Sequence, residues 1–173
     1  MKPIAKKSGF TLVELLVVIT IISVLSIVGL TLFSSAQKGA RDARRRADID
    51  AIVKALEINK SSANSATYNV LDNNQFTSSS GVIPVDSQNN LAKYCLSYST
   101  ALGVLAPDYP TTWVNTSACP TTTPTTPSSG AGYTAWATIS NANPPATSTV
   151  WTACALFELG SNPTNIYCRK SSQ

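Results

Sequence analysis

Between Phe10 and Phe33 the sequence FTLVELLVVITIISVLSIVGLTLF holds a single ionisable side chain, Glu14. In lipid a carboxylate near the start of such a run costs several kcal/mol unless a proton, the interface or a cation neutralises it. The chain supplies a cation only if it is cut between Gly9 and Phe10, because the cut frees a positive α-amino group at the head of the run. Within one subunit that amine lies a turn below Glu14. In a bundle of parallel helices displaced along their axes, the amine of one copy meets Glu14 of a neighbour. The second arrangement makes Glu14 an assembly register, since an axial slip would strand both charges in an apolar core. The chemistry expected here is therefore one peptide hydrolysis followed by charge pairing between copies.

The other reactive residue types point away from catalysis. The chain has no histidine, so no Ser/His/Asp or Cys/His arrangement is available and no histidine can complete a zinc site. The head carboxylates form no recognisable acid and base pair. No enzyme activity, cofactor or metal is expected. Cys95, Cys119, Cys154 and Cys168 all follow the apolar run, none in a C-x-x-C pair. Behind a membrane segment, an even set of such cysteines favours two disulfides in an oxidising compartment.

The elements that position these groups follow from patterning. The 24 residues Phe10 to Phe33 would rise about 36 Å as an α-helix, more than the roughly 30 Å hydrocarbon layer. No proline interrupts Phe10 to Lys60, so one helix of about 75 Å is feasible, with Gly29 and Gly39 as its weak points. Ala36, Ala40, Ala43 and Ala47 place small side chains on one face, where another helix could approach. Ile49, Ile52, Val53 and Leu56 then form an amphipathic stripe that needs a globular surface. SSANSATYN ends the helix near Ser61 with turn formers.

Beyond it the composition shifts to Ser, Thr, Asn and Pro with short β-prone runs: YCLSYST, YTAWATIS, STVWTACALFEL and NIYCRK. The turn-rich link GSNPTN joins the last two as a hairpin and brings Cys154 near Cys168. Of three possible connectivities this favours Cys154 with Cys168 and, by elimination, Cys95 with Cys119. CPTTTPTTPSSGAG is a low-complexity loop, extended and exposed, and a candidate for sugar attachment.

Charge is uneven. Through Lys60 ten Lys and Arg face five Asp and Glu, a net +5, while the remainder carries −1. The head thus offers no electrostatic footprint for nucleic acid. The cluster Lys38 to Arg46 lies on what would be the outer side of the membrane, against the positive-inside tendency. It reads as a solvated helix face, or as a contact for lipid phosphates or acidic groups of a neighbouring subunit.

KKSGFTLVELLVVI resembles the class III signal of type IV pilins and the related pseudopilins: a basic leader ending in Gly9, Phe10 as first mature residue, Glu14 as the fifth. RDARRRADIDAIVKALEINK looks like the continuation of the pilin helix into a head. The resemblance implies an α+β, pilin-like fold, with a long N-terminal α-helix packed on a small antiparallel β-sheet head. It implies cleavage after Gly9 by a membrane prepilin peptidase and N-methylation of Phe10. The partners implied are copies of the chain and minor pilins, and an inner-membrane assembly platform driven by a cytoplasmic ATPase. The product would be a single-pass prepilin of the inner membrane, then a cell-surface or periplasmic filament. The chain divides accordingly into leader 1–9, transmembrane and filament-core helix 10–33, amphipathic continuation 34–60 and extracytoplasmic head 61–173. It departs from many type IV pilins in lacking a helix-breaking proline in the apolar segment and in carrying four cysteines.

Three other readings compete. A pseudopilin of a type II secretion system uses the same signal. An ordinary secretory signal would be cut after Ser34-Ser35-Ala36, but its apolar core is typically about 7 to 15 residues and lacks a carboxylate. A membrane-anchored adhesive head could display Trp113, Trp136 and Trp151 with several tyrosines, most of which a small head more readily buries.

Overall fold

The computed structural model describes residues 9–61, 67–79, 81–86, 88, 94–113, 118–124, 132–141, 143–160 and 164–172. Residues 1–8, much of the SSANSATYN and low-complexity stretches, and part of the GSNPTN link lie outside the described residues. The architecture is α+β and pilin-like: one long helix, α1 (Leu12–Ile58), and a four-stranded antiparallel sheet. Two compact units are separable, Met1–Lys38 and Gly39–Gln173.

In the first unit, α1 runs through Gly29 without interruption. Every large apolar side chain described from Phe10 to Phe33 is exposed. This is a helix long and apolar enough to cross a membrane. Its hydroxyls are satisfied locally: Thr20 donates to the Val17 carbonyl, Ser23 to Ile19 and Ser26 to Ile22.

The second unit places the remainder of α1 against the sheet. Its strands are β1 (Tyr94–Ser99), β2 (Ala137–Thr138), β3 (Val150–Leu156) and β4 (Ile166–Lys170), ordered β2-β1-β3-β4 with every neighbour antiparallel. The predicted β-prone runs are these strands, but YTAWATIS contributes only two residues to the ladder. The central strand β3 is buried along its whole length, because each of its faces is covered. On one face Ile49, Ile52, Ala55 and Leu56 of α1 join Tyr94, Leu96, Trp151, Ala153 and Ala155 in the main core. On the other face lie Trp113, Trp136, Leu156 and the cysteines.

The polar side of the helix contact is made by phenols on carboxylates. Tyr94 donates to Asp48 (2.6 Å), Tyr167 to Asp50 (2.9 Å) and Tyr68 to Glu57 (3.1 Å). Burial pushes the Tyr68 hydroxyl up to about 12, and burial together with Asp48 pushes Tyr94 up further, so both stay protonated donors. Glu57 also accepts from the amide and hydroxyl of Ser172, which ties the chain's end to the helix.

Disulfides join Cys95 to Cys119 and Cys154 to Cys168. Cys154 faces Cys168 across β3 and β4 and faces Cys95 across β1 and β3. Its Cα lies 4.1 Å from that of Cys168, the close spacing of a non-hydrogen-bonded antiparallel pair. Alternation then makes Cys95 and Cys154 a wider, hydrogen-bonded pair, which explains why Cys154 bonds to its β4 neighbour and leaves Cys95 to Cys119.

Candidate functional site

Gly9, Phe10 and Glu14 lie at the entry to α1. Gly9 and Phe10 are exposed and precede the helix. Thr11 is its cap: the Thr11 hydroxyl accepts the Glu14 amide (3.3 Å), while the Thr11 amide and hydroxyl each donate to Glu14 Oε2 (2.8 Å). This T-x-x-E capping box satisfies donors that a helix start leaves orphaned. Sequence reasoning took Glu14 as an isolated carboxylate and passed over the box, although Thr11-Leu12-Val13-Glu14 spells it out. Both bonds fall on Oε2, and Oε1 has no partner among the described residues. One oxygen thus holds the carboxylate in place at the helix start. Gly9 has an ordinary backbone conformation, and a Cβ there would meet nothing within 4 Å, so local packing makes no demand for glycine at that position.

A family model for the prokaryotic N-terminal methylation motif matches residues 4–30, spanning this junction, the capping box and the first turns of the apolar helix. The chain carries that motif. It is the signature of type IV pilins and pseudopilins, a class of structural subunits. No curated protein and no solved structure compared with it matches the chain. The match ends at Leu30, so the head of this pilin-like chain stands on its own geometry.

In that head the basic cluster is only partly the solvated face that the sequence suggested: Lys38, Arg44 and Arg46 are exposed, while Arg45 is buried. Arg45 is 1% exposed and serves three carboxylates: Nε on Asp86 (2.9 Å), Nη1 on Asp42 (2.8 Å) and Nη2 on Glu158 (2.7 Å). Arg41 adds a two-pronged pair to Glu158, with Nε at 2.8 Å. Asp42 also accepts the amides of Glu158 and Leu159 (2.8 and 3.0 Å), capping the start of the β3–β4 turn. Arg46 lies over the stacked rings of Phe157 and Tyr167, 5.4 and 5.0 Å from their centroids. Arg45 is thus buried and Arg41 half-buried in the head, Arg46 is held over the two rings yet stays exposed, and Lys38 and Arg44 are likewise exposed. The signal that would have found the knot is the DARR pattern, where Asp42 and Arg45 stand three apart on the face that leads into Ile49 and Ile52.

Trp113, Trp136 and Trp151 are 2%, 6% and 0% exposed. They are core, so the tryptophans offer no ligand surface to an adhesive head. Among the described residues no group of acids or cysteines is placed to hold a metal; the acids around Arg45 converge on its guanidinium.

Hydrogen bonds from Arg41, and then from Arg45, hold the Glu158 carboxyl down to about 2. A depressed carboxyl contributes stability that is complete above the unfolded value, about 4.3, and is lost as pH falls toward the folded one. Denaturant unfolding of the head is therefore expected to weaken from about pH 5 to about pH 2.5. Glu158→Gln should lower stability at about pH 5 and flatten the slope across that window. A wild-type slope retained in Glu158→Gln would assign the acid sensitivity elsewhere.

Proposed function

We propose that this chain is a prepilin, cut between Gly9 and Phe10, methylated on the freed amine of Phe10, and polymerised through its N-terminal helix into a type IV pilus-like filament. The observation that carries the reading is the methylation motif, coinciding with a Glu14 whose Oε1 is unpaired at the start of an apolar helix with no cover of its own. The lack of any local need for glycine at position 9 supports a demand imposed from outside, by a peptidase that admits only a small residue there. In this reading residues 1–9 are the leader, 10–33 the membrane and then filament-core helix, 34–60 its continuation and 61–173 the extracytoplasmic head. The chain waits in the cytoplasmic membrane as a single-pass precursor. The assembly platform then lifts it out, and its exposed apolar side chains exchange lipid for neighbouring helices.

Glu14 would set the axial stagger. Its Oε1 takes the ammonium of an adjoining copy while Oε2 stays with Thr11, so the same carboxylate caps its own helix and registers the next. The second reading, a type II secretion pseudopilin, uses the same chemistry in a short periplasmic filament. Imaging cells with and without the chain separates the two. Loss of surface fibres marks a pilus subunit, whereas unchanged fibres with arrested export of a folded substrate mark the pseudopilin. A deletion that alters neither would contradict the filament reading.

A further inference from the structure

The sheet has two edges, and among the described residues only one of them is closed. The β2 edge is two residues long, and the Asn143 side chain donates to the Thr138 carbonyl (3.0 Å) on its outer side. At β4 the parity of the ladder decides what faces outward. The Cys154–Cys168 Cα distance of 4.1 Å marks a non-hydrogen-bonded pair. The flanking bonds from the Phe157 amide to the Asn165 carbonyl (2.7 Å) and from the Ser171 amide to Trp151 (2.9 Å) put the odd-numbered residues in the bonded pairs. Alternation therefore turns the N–H and C=O of Ile166, Cys168 and Lys170 away from β3. These groups have no hydrogen-bond partner among the described residues.

Natural sheets blunt such an edge with proline, a bulge or free lysine. β4 has no proline and pairs with β3 residue for residue. Of its two cations, Lys170 Nζ is paired on Asp108 (2.8 Å), whereas Arg169, 3.4 Å from Asp50, keeps an exposed side chain that disfavours basic or self-pairing strands and leaves the edge open to an acidic one. We propose that the outer edge of β4 is a docking site for an extended, acidic segment of a partner protein, which adds to the sheet as a fifth strand. Main-chain bonds to Ile166, Cys168 and Lys170 would supply affinity. Charge supplies the selection: the helix side of this edge carries Arg169, whose side chain is 55% exposed, and Arg46 over Tyr167, with Asp50 between them. An acid on the incoming strand opposite Arg169 completes a cross-strand pair. A second copy of the chain fits less well. The closed β2 edge stops the sheet from propagating from copy to copy, and pairing of β4 with itself about a dyad would run the packed helices in opposite directions.

The test uses the full chain in detergent micelles and two labelled octapeptides, alternating Val-Glu and alternating Val-Lys. In the free chain the Cys168 amide should exchange rapidly with deuterium although its neighbours Tyr167 and Arg169 are protected. Val-Glu should bind and slow exchange at Ile166, Cys168 and Lys170 by at least about tenfold, and Val-Lys should bind at least about tenfold more weakly. Arg169→Glu, at an exposed position, should reverse that preference. The proposal is overturned by a Cys168 amide already protected in the free chain. It is also overturned by no Val-Glu binding, by binding that leaves these amides unchanged, or by equal affinity for the two peptides.

Discussion

Glu14→Gln is expected to cut the yield of sheared fibres at least about tenfold relative to total chain, measured by immunoblot of the fibre fraction. The choice of glutamine matters because of the capping box. Glutamine also accepts from the Thr11 amide and hydroxyl, so the capping box survives, whereas alanine would remove the reciprocal half of the box together with the charge. What glutamine lacks is the negative charge. On the assembly reading, a filament built from it leaves each Phe10 ammonium unpaired in an apolar surround, a penalty on the order of 3–5 kcal/mol per contact. Normal fibre yield with Glu14→Gln would reduce Glu14 to a helix cap and remove its role in register.

The second large effect lies in the head. Arg45→Met is expected to lower its stability by about 3–5 kcal/mol, read from the denaturant midpoint of the full chain in detergent. The side chain is 1% exposed and the facing Asp86 side chain 0%, so removing the cation strips buried Asp86 and Asp42 of their guanidinium partner and leaves Glu158 to Arg41 alone, around an apolar thioether. Combining it with Asp86→Leu should recover part of the loss, because replacing a buried pair costs less than breaking one. A midpoint unchanged by Arg45→Met would mean that the network stores no net stability. Since Arg45 and Asp42 sit on α1, Asp86 on the loop after residues 73–79 and Glu158 after β3, the knot joins three separate parts of the head. Its loss should therefore loosen the helix from the sheet before the disulfide-bonded face opens.

The sequence was most legible where one period or one spacing decides the structure. The unbroken apolar run and the stripe from Ile49 to Leu56 specify α1 and its buried face, and four β-prone runs specify four strands. Legibility failed where a long-range partner decides. Arg45 reads as one of several solvated arginines until Asp86 and Glu158, distant in sequence, fold onto it, and no local pattern encodes their arrival. YTAWATIS shrinks to a two-residue strand because its flanks serve other ends: Trp136 fills the core beside the disulfides, and Asn143 closes the edge through Thr138. The capping box was local and legible. It was obscured because the same carboxylate invites a reading from membrane energetics, and the two roles use different oxygens.

The central claim is that the mature chain starts at a freed, methylated amine beside an acid in an apolar helix. It is tested most directly by the mass and sequence of the N-terminal peptide of the chain recovered from cell envelopes. The account predicts N-methylated Phe10 as the first residue, with Met1 to Gly9 removed. A chain beginning at Gln37, or one retaining Met1 through Gly9 in assembled material, would contradict it.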